Sequence, residues 1–425
     1  MQFNEMKSKS RVIVGMSGGV DSSVAAYLLK EQGYDVVGLF MRNWNDASVT
    51  LEDECPWIDD SRDAMLVADQ LGIPFQVIDM SEVYKERIVD YMFHEYQIGR
   101  TPNPDVLCNR EIKFDLFLEE ALKLGADFVG TGHYVRKGVV LNELGAEEYQ
   151  LLRGLDSNKD QSYFLCQLNQ FQLSKALFPI GELQKSEVRQ IAEKIGLVTA
   201  KKKDSQGLCF IGKVSLPEFL QQKLEIKKGE VFEISADDPK ILEHKDQVFA
   251  ELEDINQSKE NSESESLELV KSKMDLAKLR LELNDCKWIP TGEHRGAHFY
   301  TRGQRKGLQI GGKPLPLFII NTDVENNRIF VGQGEDHPAL FYRGLLVKKE
   351  EAHWVNPRLK DSSLKSKKLT CQIRYRQAAF SCELIEDLDG NVIVYFSSPH
   401  KSVTPGQFVA VFNENELIFS GAIAE

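Results

Sequence analysis

The first 135 residues alternate between short apolar runs and longer segments whose apolar residues recur on one helical face. The apolar runs predict strands at 12–14, 36–41, 75–78 and 128–132, and the longer segments predict helices ending near residues 32, 71, 99 and 124. This alternation is typical of an α/β fold with a doubly wound parallel sheet covered on both faces. Ligands of such sheets bind at the carboxyl ends of the strands, so the residues that follow these runs are candidates for chemistry.

The pattern changes beyond residue 134. Residues 134–153 predict a β-hairpin, and the runs at 369–376, 380–385, 392–396, 408–412 and 417–423 predict a small C-terminal antiparallel β-barrel. The predicted organisation is a catalytic domain at 1–205, a small middle domain at 206–316 and the barrel at 317–425.

A loop of glycines and serines follows the first apolar run. Its residues are Gly15, Met16, Ser17, Gly18, Gly19, Val20, Asp21 and Ser22. Asp21 and Ser22 are predicted to cap the next helix, whose N-terminus would bind an anion through backbone N–H groups. The loop has neither the Gly-Lys-Ser/Thr ending of a Walker loop nor a dinucleotide fingerprint. We interpret the anion as a nucleotide phosphate, with Met41 and Gly132 in the same crevice. An ordinary helix cap after a strand remains an alternative.

Two cysteines lie in segments that predict chemistry. Residues 100–110 contain two prolines and two asparagines, which predicts a loop carrying Asp105 and Cys108. Cys209 lies in a second predicted loop, preceded by three lysines at 201–203. Nearby cations stabilise a thiolate, so both thiols are candidates for a lowered pKa. The alternative, that each is a small buried packing residue, stays open at this point.

Composition narrows the classes of function. The chain has seven cysteines and no Cys-x-x-Cys pair, which gives little support for a zinc or iron–sulfur site, and no metal ligand set is predicted. No apolar leader or membrane-length apolar run is present, and we predict a cytoplasmic protein without a membrane partner. The net charge of −13 disfavours a nucleic-acid partner for the chain as a whole. However, about half of this negative charge lies in one segment, because residues 233–287 hold 15 acidic and eight basic residues. Residues 353–376 hold seven basic residues and one acid, which is either a phosphate-binding patch or a solvated face.

Several motifs together resemble the tRNA-specific 2-thiouridylase family of the ATP pyrophosphatase (PP-loop) superfamily. They are residues 17–22, 103–105 with 108–109, 131–134, 159–163, 204–210, 299–307, 374–377 and 403–407. The glycine-serine loop alone identifies the superfamily. The two cysteine segments in this order, followed by a β-rich part, are far more specific.

The resemblance implies that ATP, with Mg²⁺, adenylates the C2 oxygen of a wobble uridine in tRNA. A persulfide on Cys209 would then deliver sulfur, and Cys108 would release the product with a Cys108–Cys209 disulfide; hydrosulfide delivery is the alternative. Asp105 is the candidate general acid or base. The candidate tRNA contacts are Asn103, Pro104, Asp105, His133, Lys159, Asp160, Gln161, Arg374, Tyr375 and Gln407. A cysteine desulfurase or a persulfide relay protein is implied as the sulfur donor.

Residues 233–289 depart from the family pattern. This acidic insertion, rich in Glu, Ser and Lys, predicts a partly disordered segment with one helix at 267–283, hanging from a hairpin of the middle domain. It shows no chemistry, so its removal is expected to leave activity intact. Two rival functions remain: another PP-loop enzyme of the amidotransferase or ligase type, which needs no paired cysteines, and a non-catalytic RNA-binding protein.

Overall fold

The computed structural model of the chain describes residues 10–43, 56–203, 216–250, 263–364 and 368–424. The strands are β1 Arg11–Gly15, β2 Asp35–Arg42, β3 Phe75–Asp79, β4 Phe128–Gly130, β5 Val135–Leu141, β6 Glu147–Arg153, β7 Ala176–Leu177, β8 Gly229–Glu233, β9 Ile289–His294, β10 Leu317–Asp323, β11 Arg328–Gln333, β12 Phe341–Val347, β13 His353–Trp354, β14 Leu369–Gln372, β15 Phe380–Glu386, β16 Val392–Lys401, β17 Phe408–Asn413 and β18 Glu416–Ala422.

The helices include two long ones with a π-helical middle section. These are α3, built from Ser81–Tyr84, Lys85–Asp90 and Tyr91–Gln97, and α4, built from Pro104–Leu107, Cys108–Leu116 and Phe117–Lys123. The other α-helices are α1 Val20–Glu31, α2 Pro56–Leu71, α5 Gln170–Lys175, α6 Lys185–Lys194, α7 Leu216–Leu220, α8 Pro239–Phe249, α9 Glu263–Lys278 and α10 Lys360–Leu364. Short 3₁₀ turns include Ser162–Leu165 and Pro338–Leu340.

The N-terminal sheet confirms the predicted parallel fold. Its strand order is β3-β2-β1-β4-β7, and every pairing is parallel. Successive β1 residues point to opposite faces. Ile13 belongs to the core under α3 and α4, whereas Val12 and Val14 belong to the core under α1, α2 and α6. The strand order reverses between β1 and β4, so the crevice at their carboxyl ends is where a ligand is expected.

The C-terminal strands form a closed antiparallel barrel in the order β12-β16-β15-β14-β17-β18. A bridge between Val347 and Ile423 joins the two ends. The predicted hairpin at 134–153 exists as β5 and β6, and β6 pairs with β18, so it extends the barrel sheet rather than the parallel sheet. The predicted strand at 369–376 is too long: β14 ends at Gln372, and Arg376 has a φ of 61°, which ends strand geometry.

The middle sheet has the order β10-β11-β8-β9, and the acidic insertion joins the antiparallel pair β8 and β9 as predicted. The prediction of one loosely attached helix is wrong. The described part of the insertion contains α8 and α9, and both are packed. Ile241 on α8 is fully buried against the middle sheet, and Ala277 on α9 is buried against Ile393 and Tyr395 of the barrel. Removing the insertion would uncover these apolar surfaces, so we now expect its deletion to destabilise the fold.

Close packing of α9 on the barrel depends on two small residues. A Cβ on Gly344 of β12 would lie 2.5 Å from the Ala277 Cβ and 2.6 Å from the Val394 carbonyl oxygen. We expect Gly344→Ala to lower the free energy of unfolding by about 1–3 kcal/mol, because overpacking forces the helix or strand to shift. Gly311→Ala is the matched control, since a Cβ there meets nothing within 4 Å. Equal denaturant midpoints for the two variants would contradict this packing.

Candidate active site

The glycine-serine loop joins β1 to α1 and is tied together by its own hydroxyl groups. The Ser17 N–H donates to the Ser22 Oγ at 3.1 Å, and the Ser23 hydroxyl donates to the Gly19 carbonyl at 2.8 Å. The predicted cap is wrong: Gly19 is the N-cap, and Asp21 lies inside the first helical turn. The hydroxyls therefore fix the loop conformation, and the N–H groups of the helix N-terminus are the candidate anion site.

Two glycines allow the backbones around the loop to touch. Gly18 has a φ of 71°, and a Cβ there would lie 2.2 Å from the Asp60 carbonyl oxygen on α2. A Cβ on Gly132, which follows β4, would lie 2.6 Å from the Ser22 nitrogen. Gly132 therefore lies directly against the start of α1. This is expected because Gly132 follows β4 and α1 follows β1, the two neighbouring strands between which the strand order reverses. Met41 is buried beside Gly15.

Asp21 is held by two residues that the sequence analysis missed as site residues. The Lys185 ammonium lies 2.8 Å from both carboxylate oxygens, and the Tyr134 hydroxyl donates to Oδ1 at 2.7 Å. Lys185 begins α6 in a segment without a motif, so only the fold reveals it. Tyr134 lies within residues 131–134, one of the motifs that carry the family resemblance. That motif is the sequence signal that could have identified Tyr134 as a site residue.

Carboxylate oxygens near the loop are the candidate ligands for Mg²⁺. Asp21 is the carboxylate at the loop, and both of its oxygens are within 2.8 Å of Lys185. Across the described ranges, no group of three His, Cys, Asp or Glu residues could hold a metal ion. The described residues near the loop therefore do not fit Mg²⁺ in this arrangement.

The segment predicted as a loop around Cys108 is helical. Asn103 is the N-cap and accepts a hydrogen bond from the Val106 N–H at 3.2 Å, while Pro104 occupies the first helical turn. Proline is compatible with that position because its missing N–H would have no intrahelical partner. Cys108 lies one turn later with 0% of its surface exposed, in the core under the parallel sheet. The thiol predicted to lie on a loop is therefore a buried thiol on a helix.

His133 connects this helix to the segment that packs against the glycine-serine loop. Its Nε2 lies 3.5 Å from the Lys113 ammonium on α4, and its Nδ1 lies 2.9 Å from the Thr131 hydroxyl. Burial, and then the Lys113 charge, lower the pKa of His133 well below its usual value. The imidazole is therefore neutral at pH 7, and a chain of contacts runs from Ser22 through residues 131–133 to the helix that bears Cys108 and Asp105.

Residues 159–161 form a turn that is hydrogen-bonded to the end of β6 and to Tyr134. The Asp160 carboxylate accepts hydrogen bonds from the Gly154 and Ser162 N–H groups and from Arg153. The Gln161 side-chain oxygen accepts from the Tyr134 N–H at 3.0 Å. Lys159 is part of the same turn, its N–H bonded to the Asp156 carbonyl. Asp160 and Gln161 thus position the β5–β6 hairpin and the segment that carries His133.

Barrel residues meet the α4 N-terminus directly. The Asn103 amide donates to the Gln407 side-chain oxygen at 3.2 Å, and Gln407 donates to the Thr101 carbonyl. The Arg374 guanidinium donates to the Ser402 carbonyl at 2.9 Å, and the Tyr375 ring packs on Phe164 with centroids 4.2 Å apart. These predicted RNA contacts therefore lie at the junction between the barrel and the parallel-sheet domain.

Cys209 lies outside the described residues. The described chain stops nearby at 203, and Lys202 there forms a 2.7 Å ion pair with Asp60. The four other described cysteines, Cys166, Cys286, Cys371 and Cys382, are buried. Burial raises the pKa of Cys166 to about 12, so its thiol is protonated at neutral pH.

Comparison with known proteins covers almost the whole chain. Residues 10–213 match the family model described as tRNA methyl transferase HUP domain, residues 288–333 the tRNA methyl transferase PRC-barrel domain, and residues 344–423 the aminomethyltransferase beta-barrel domain. The insertion falls almost entirely between the matched ranges. Among the described residues, none of the helices has the length and apolar content to cross a membrane.

Three relatives that match over nearly their full length have the same name. The chain is 57% identical over 419 residues to the tRNA-specific 2-thiouridylase MnmA of Christiangramia forsetii, covering 97% of this chain and 100% of the relative. It is 55% identical to the protein of the same name from Flavobacterium johnsoniae, with 97% and 100% covered. Identity to the Karelsulcia muelleri relative of that name is 45%, with 98% and 99% covered.

Proposed function

Because this chain belongs to the tRNA-specific 2-thiouridylase family, we propose that it is an ATP-dependent tRNA-uridine 2-sulfurtransferase. The observation that carries the proposal is the contact chain from the α1 N-terminus through Gly132 and His133 to Lys113 on α4. It brings an anion-binding loop close to the helix that bears Asp105 and Cys108. This proximity supports the proposal that the nucleotide is activated close to the helix that bears the thiol.

The proposed reaction has two stages. The C2 oxygen of the wobble uridine attacks the α-phosphate of ATP, and pyrophosphate leaves. The terminal sulfur of a Cys209 persulfide then attacks C2, and AMP leaves with the oxygen. Adenylation is needed because an unmodified carbonyl oxygen is a poor leaving group, whereas AMP is a good one. A persulfide serves as both sulfur carrier and strong nucleophile.

Release of the product requires a second thiol. The Cys108 thiolate attacks the Cys209 sulfur of the adduct, which frees the 2-thiouridine and leaves a Cys108–Cys209 disulfide. A thiol reductant must reduce that disulfide before the next cycle. Delivery of hydrosulfide after Cys108 reduces the persulfide is the alternative order. Since Cys108 is fully buried, either route requires the cover over this part of α4 to open.

The remaining site residues are proposed to bind ATP, transfer protons or contact tRNA. Backbone groups at 15–22, with Met41 and Gly132, hold ATP; Mg²⁺ is proposed to enter with the nucleotide. Asp105 acts as general acid or base. The tRNA is contacted by Asn103, Pro104, Asp105, His133, Lys159, Asp160, Gln161, Arg374, Tyr375 and Gln407. The target base must leave its stack to enter such a crevice.

We also propose a domain organisation, a sulfur donor and a cellular compartment for this protein. We propose a catalytic domain at 1–205, then a middle domain and a tRNA-binding barrel. The boundary expected between 206–316 and 317–425 lies too early, because β10 and β11 belong to the middle sheet and the barrel begins at β12. A cysteine desulfurase or persulfide relay protein is the proposed sulfur donor, and the cytoplasm the proposed compartment. These assignments rest on the family membership and on the position of each residue around the crevice.

The proposal predicts a specific product. Incubating the protein with ATP, a persulfide donor and an unmodified tRNA transcript carrying a wobble uridine should yield 2-thiouridine, together with equal amounts of AMP and pyrophosphate. Mass spectrometry of the nucleosides and quantification of AMP measure both products. A transcript with cytidine at the wobble position is the control and should yield neither.

Two results would contradict the proposal. AMP release that requires an amine or amide donor instead of persulfide would indicate an amidotransferase or ligase. Binding of tRNA without AMP release would indicate a non-catalytic RNA-binding protein.

A further inference from the structure

A buried threonine far along the chain contacts the start of α1. Thr199 lies shortly after α6, and its hydroxyl donates to the Ser23 hydroxyl at 3.0 Å. Both side chains have 0% of their surface exposed. The Ser23 hydroxyl in turn donates to the carbonyl of Gly19, the N-cap of α1, at 2.8 Å. A chain of two buried hydrogen bonds therefore leads from Thr199 to the glycine-serine loop.

The Gly19 carbonyl matters because of the peptide group to which it belongs. In a trans peptide, the C=O of one residue and the N–H of the next point in opposite directions. A hydrogen bond that turns the Gly19 carbonyl towards Ser23 therefore turns the Val20 N–H towards the N-terminal end of α1. This N–H belongs to the first helical turn, whose N–H groups lack intrahelical acceptors and form the candidate anion site.

The hydroxyl of Ser23 is the nearer of its two donors to this carbonyl. The backbone N–H of Ser23 also donates to the Gly19 carbonyl, but that hydrogen bond is long, at 3.3 Å, compared with 2.8 Å for the hydroxyl. The side-chain hydrogen bond is thus the closer constraint on the direction of the peptide group, and Thr199 holds the hydroxyl that makes it.

The segment that carries Thr199 is itself fixed at several points. Arg189 on α6 donates to the Ala200 and Lys202 carbonyls, both at 3.1 Å. The Lys202 ammonium pairs with Asp60 of α2 at 2.7 Å. Ala200 is buried in the same core as the apolar face of α1. Thr199 therefore approaches α1 from a fixed position, and its hydroxyl is preorganised for the hydrogen bond that it makes.

The same part of the chain supports the loop at two other places. The first residue of α6 holds Asp21. Lys202 holds Asp60, whose backbone carbonyl packs against Gly18. Thr199 adds a third contact, and it is the one that leads to a backbone group of the candidate anion site.

We propose that Thr199 is a positioning residue for ATP, which acts through Ser23 on the Val20 N–H and does not itself touch the nucleotide. This inference rests on the proposed function. Hydrogen bonds in a chain polarise one another, so removal of the Thr199 hydroxyl weakens the bond from Ser23 to Gly19. The direction of the N–H group is then less well fixed, and phosphate binding weakens.

Equilibrium binding of α,β-methylene-ATP, which cannot be cleaved between its α- and β-phosphates, tests the proposal. Thr199→Val removes the hydroxyl and should raise the Kd about 3–10-fold, the range expected for one neutral hydrogen bond. Thr199→Ser keeps the hydroxyl and should bind like the wild type. In thiolation assays, Thr199→Val should raise KM for ATP and leave KM for tRNA unchanged, a difference that general destabilisation does not produce.

Thr291→Val is the matched control. The Thr291 hydroxyl donates to Glu233 and accepts from Lys313, but it lies on β9 of the middle sheet, so its loss should not change the Kd of the analogue. A double-mutant cycle tests the route through Ser23. Ser23→Ala should raise the Kd at least as much as Thr199→Val, and combining the two should add little, because they break the same chain.

The outcomes separate this inference from the proposed function. Wild-type protein that does not bind the analogue refutes both. Wild-type protein that binds it but forms no 2-thiouridine refutes the proposed function alone. Wild-type protein that thiolates tRNA, with Thr199→Val indistinguishable from Thr291→Val in Kd, overturns the inference alone.

Two further results would overturn the inference. Additive losses in the cycle would mean that Thr199 does not act through Ser23, and an equal loss in Thr199→Ser would mean that it does not act through its hydroxyl. If Thr199→Val does not fold, Thr199→Ala removes the same hydroxyl, and the same comparison is made with Thr291→Ala.

Discussion

Cys209→Ala is expected to carry no persulfide and to transfer no sulfur, whereas Cys108→Ala is expected to load sulfur normally and fail to release thiolated tRNA. The reason is the order of the proposed steps: Cys209 holds the sulfur before it reaches the base, and Cys108 acts only on the adduct. Incubation of each variant with a labelled sulfur donor, followed by separation of protein-bound from tRNA-bound label, measures both steps. Turnover should fall to background in both variants.

Cys166→Ala provides a matched control for these variants. Cys166 lies in the same core as Cys108, and burial raises its pKa to about 12, so it cannot act as a thiolate at neutral pH. This variant should load and transfer sulfur like the wild type. If Cys108→Ala loads no sulfur while Cys209→Ala does, the carrier has been assigned to the wrong cysteine.

The burial of Cys108 adds a condition to this mechanism. A disulfide requires Cα atoms within about 7 Å, so the segment bearing Cys209 must reach α4 at a point that is now covered. Burial alone does not distinguish Cys108 from the packing cysteines, because all five described cysteines are buried. What distinguishes it is its position one turn after the Asn103 cap, where α4 meets Gln407 of the barrel.

The parallel sheet could be predicted because its signals are local. Short β-branched runs, glycine stops and one-sided helical patterns lie within each element and do not depend on distant contacts. The segment around Cys108 was mispredicted for a local reason: proline and asparagine were interpreted as helix breakers, although together they form a helix start.

Other features depend on contacts between distant residues and left no local signal. Lys185 meets Asp21 across 164 positions of sequence, and Ala277 packs against a glycine 67 positions later. The insertion was interpreted as loosely attached because its composition is acidic and rich in Lys and Glu. A helix of that composition still packs closely where small residues face each other, as Ala277 and Gly344 do.

Asp21→Ala is expected to reduce AMP formation by about 10²-fold, the scale of losing one preorganised electrostatic contact at a reacting centre. In the structure, Asp21 fixes the Lys185 ammonium beside the start of α1, where the ATP phosphates are proposed to bind. The substitution leaves the mostly buried Lys185 without this partner, so we also expect a stability cost of about 1–3 kcal/mol. AMP release with tRNA present, and denaturant unfolding, measure the two effects separately.

A double-mutant cycle determines how Asp21 acts. If its role is to position Lys185, then Asp21→Asn, Lys185→Ala and the double variant should lose similar amounts of adenylation activity, because the pair acts as a unit. Asp35→Asn is the matched control. That partly exposed carboxylate pairs with Arg11 where β1 and β2 begin, at the opposite end of the strands from the loop, so its loss should change activity little. Unchanged AMP formation by Asp21→Ala would remove the loop carboxylate from the mechanism, and additive losses in the cycle would mean that Asp21 and Lys185 act independently on the nucleotide.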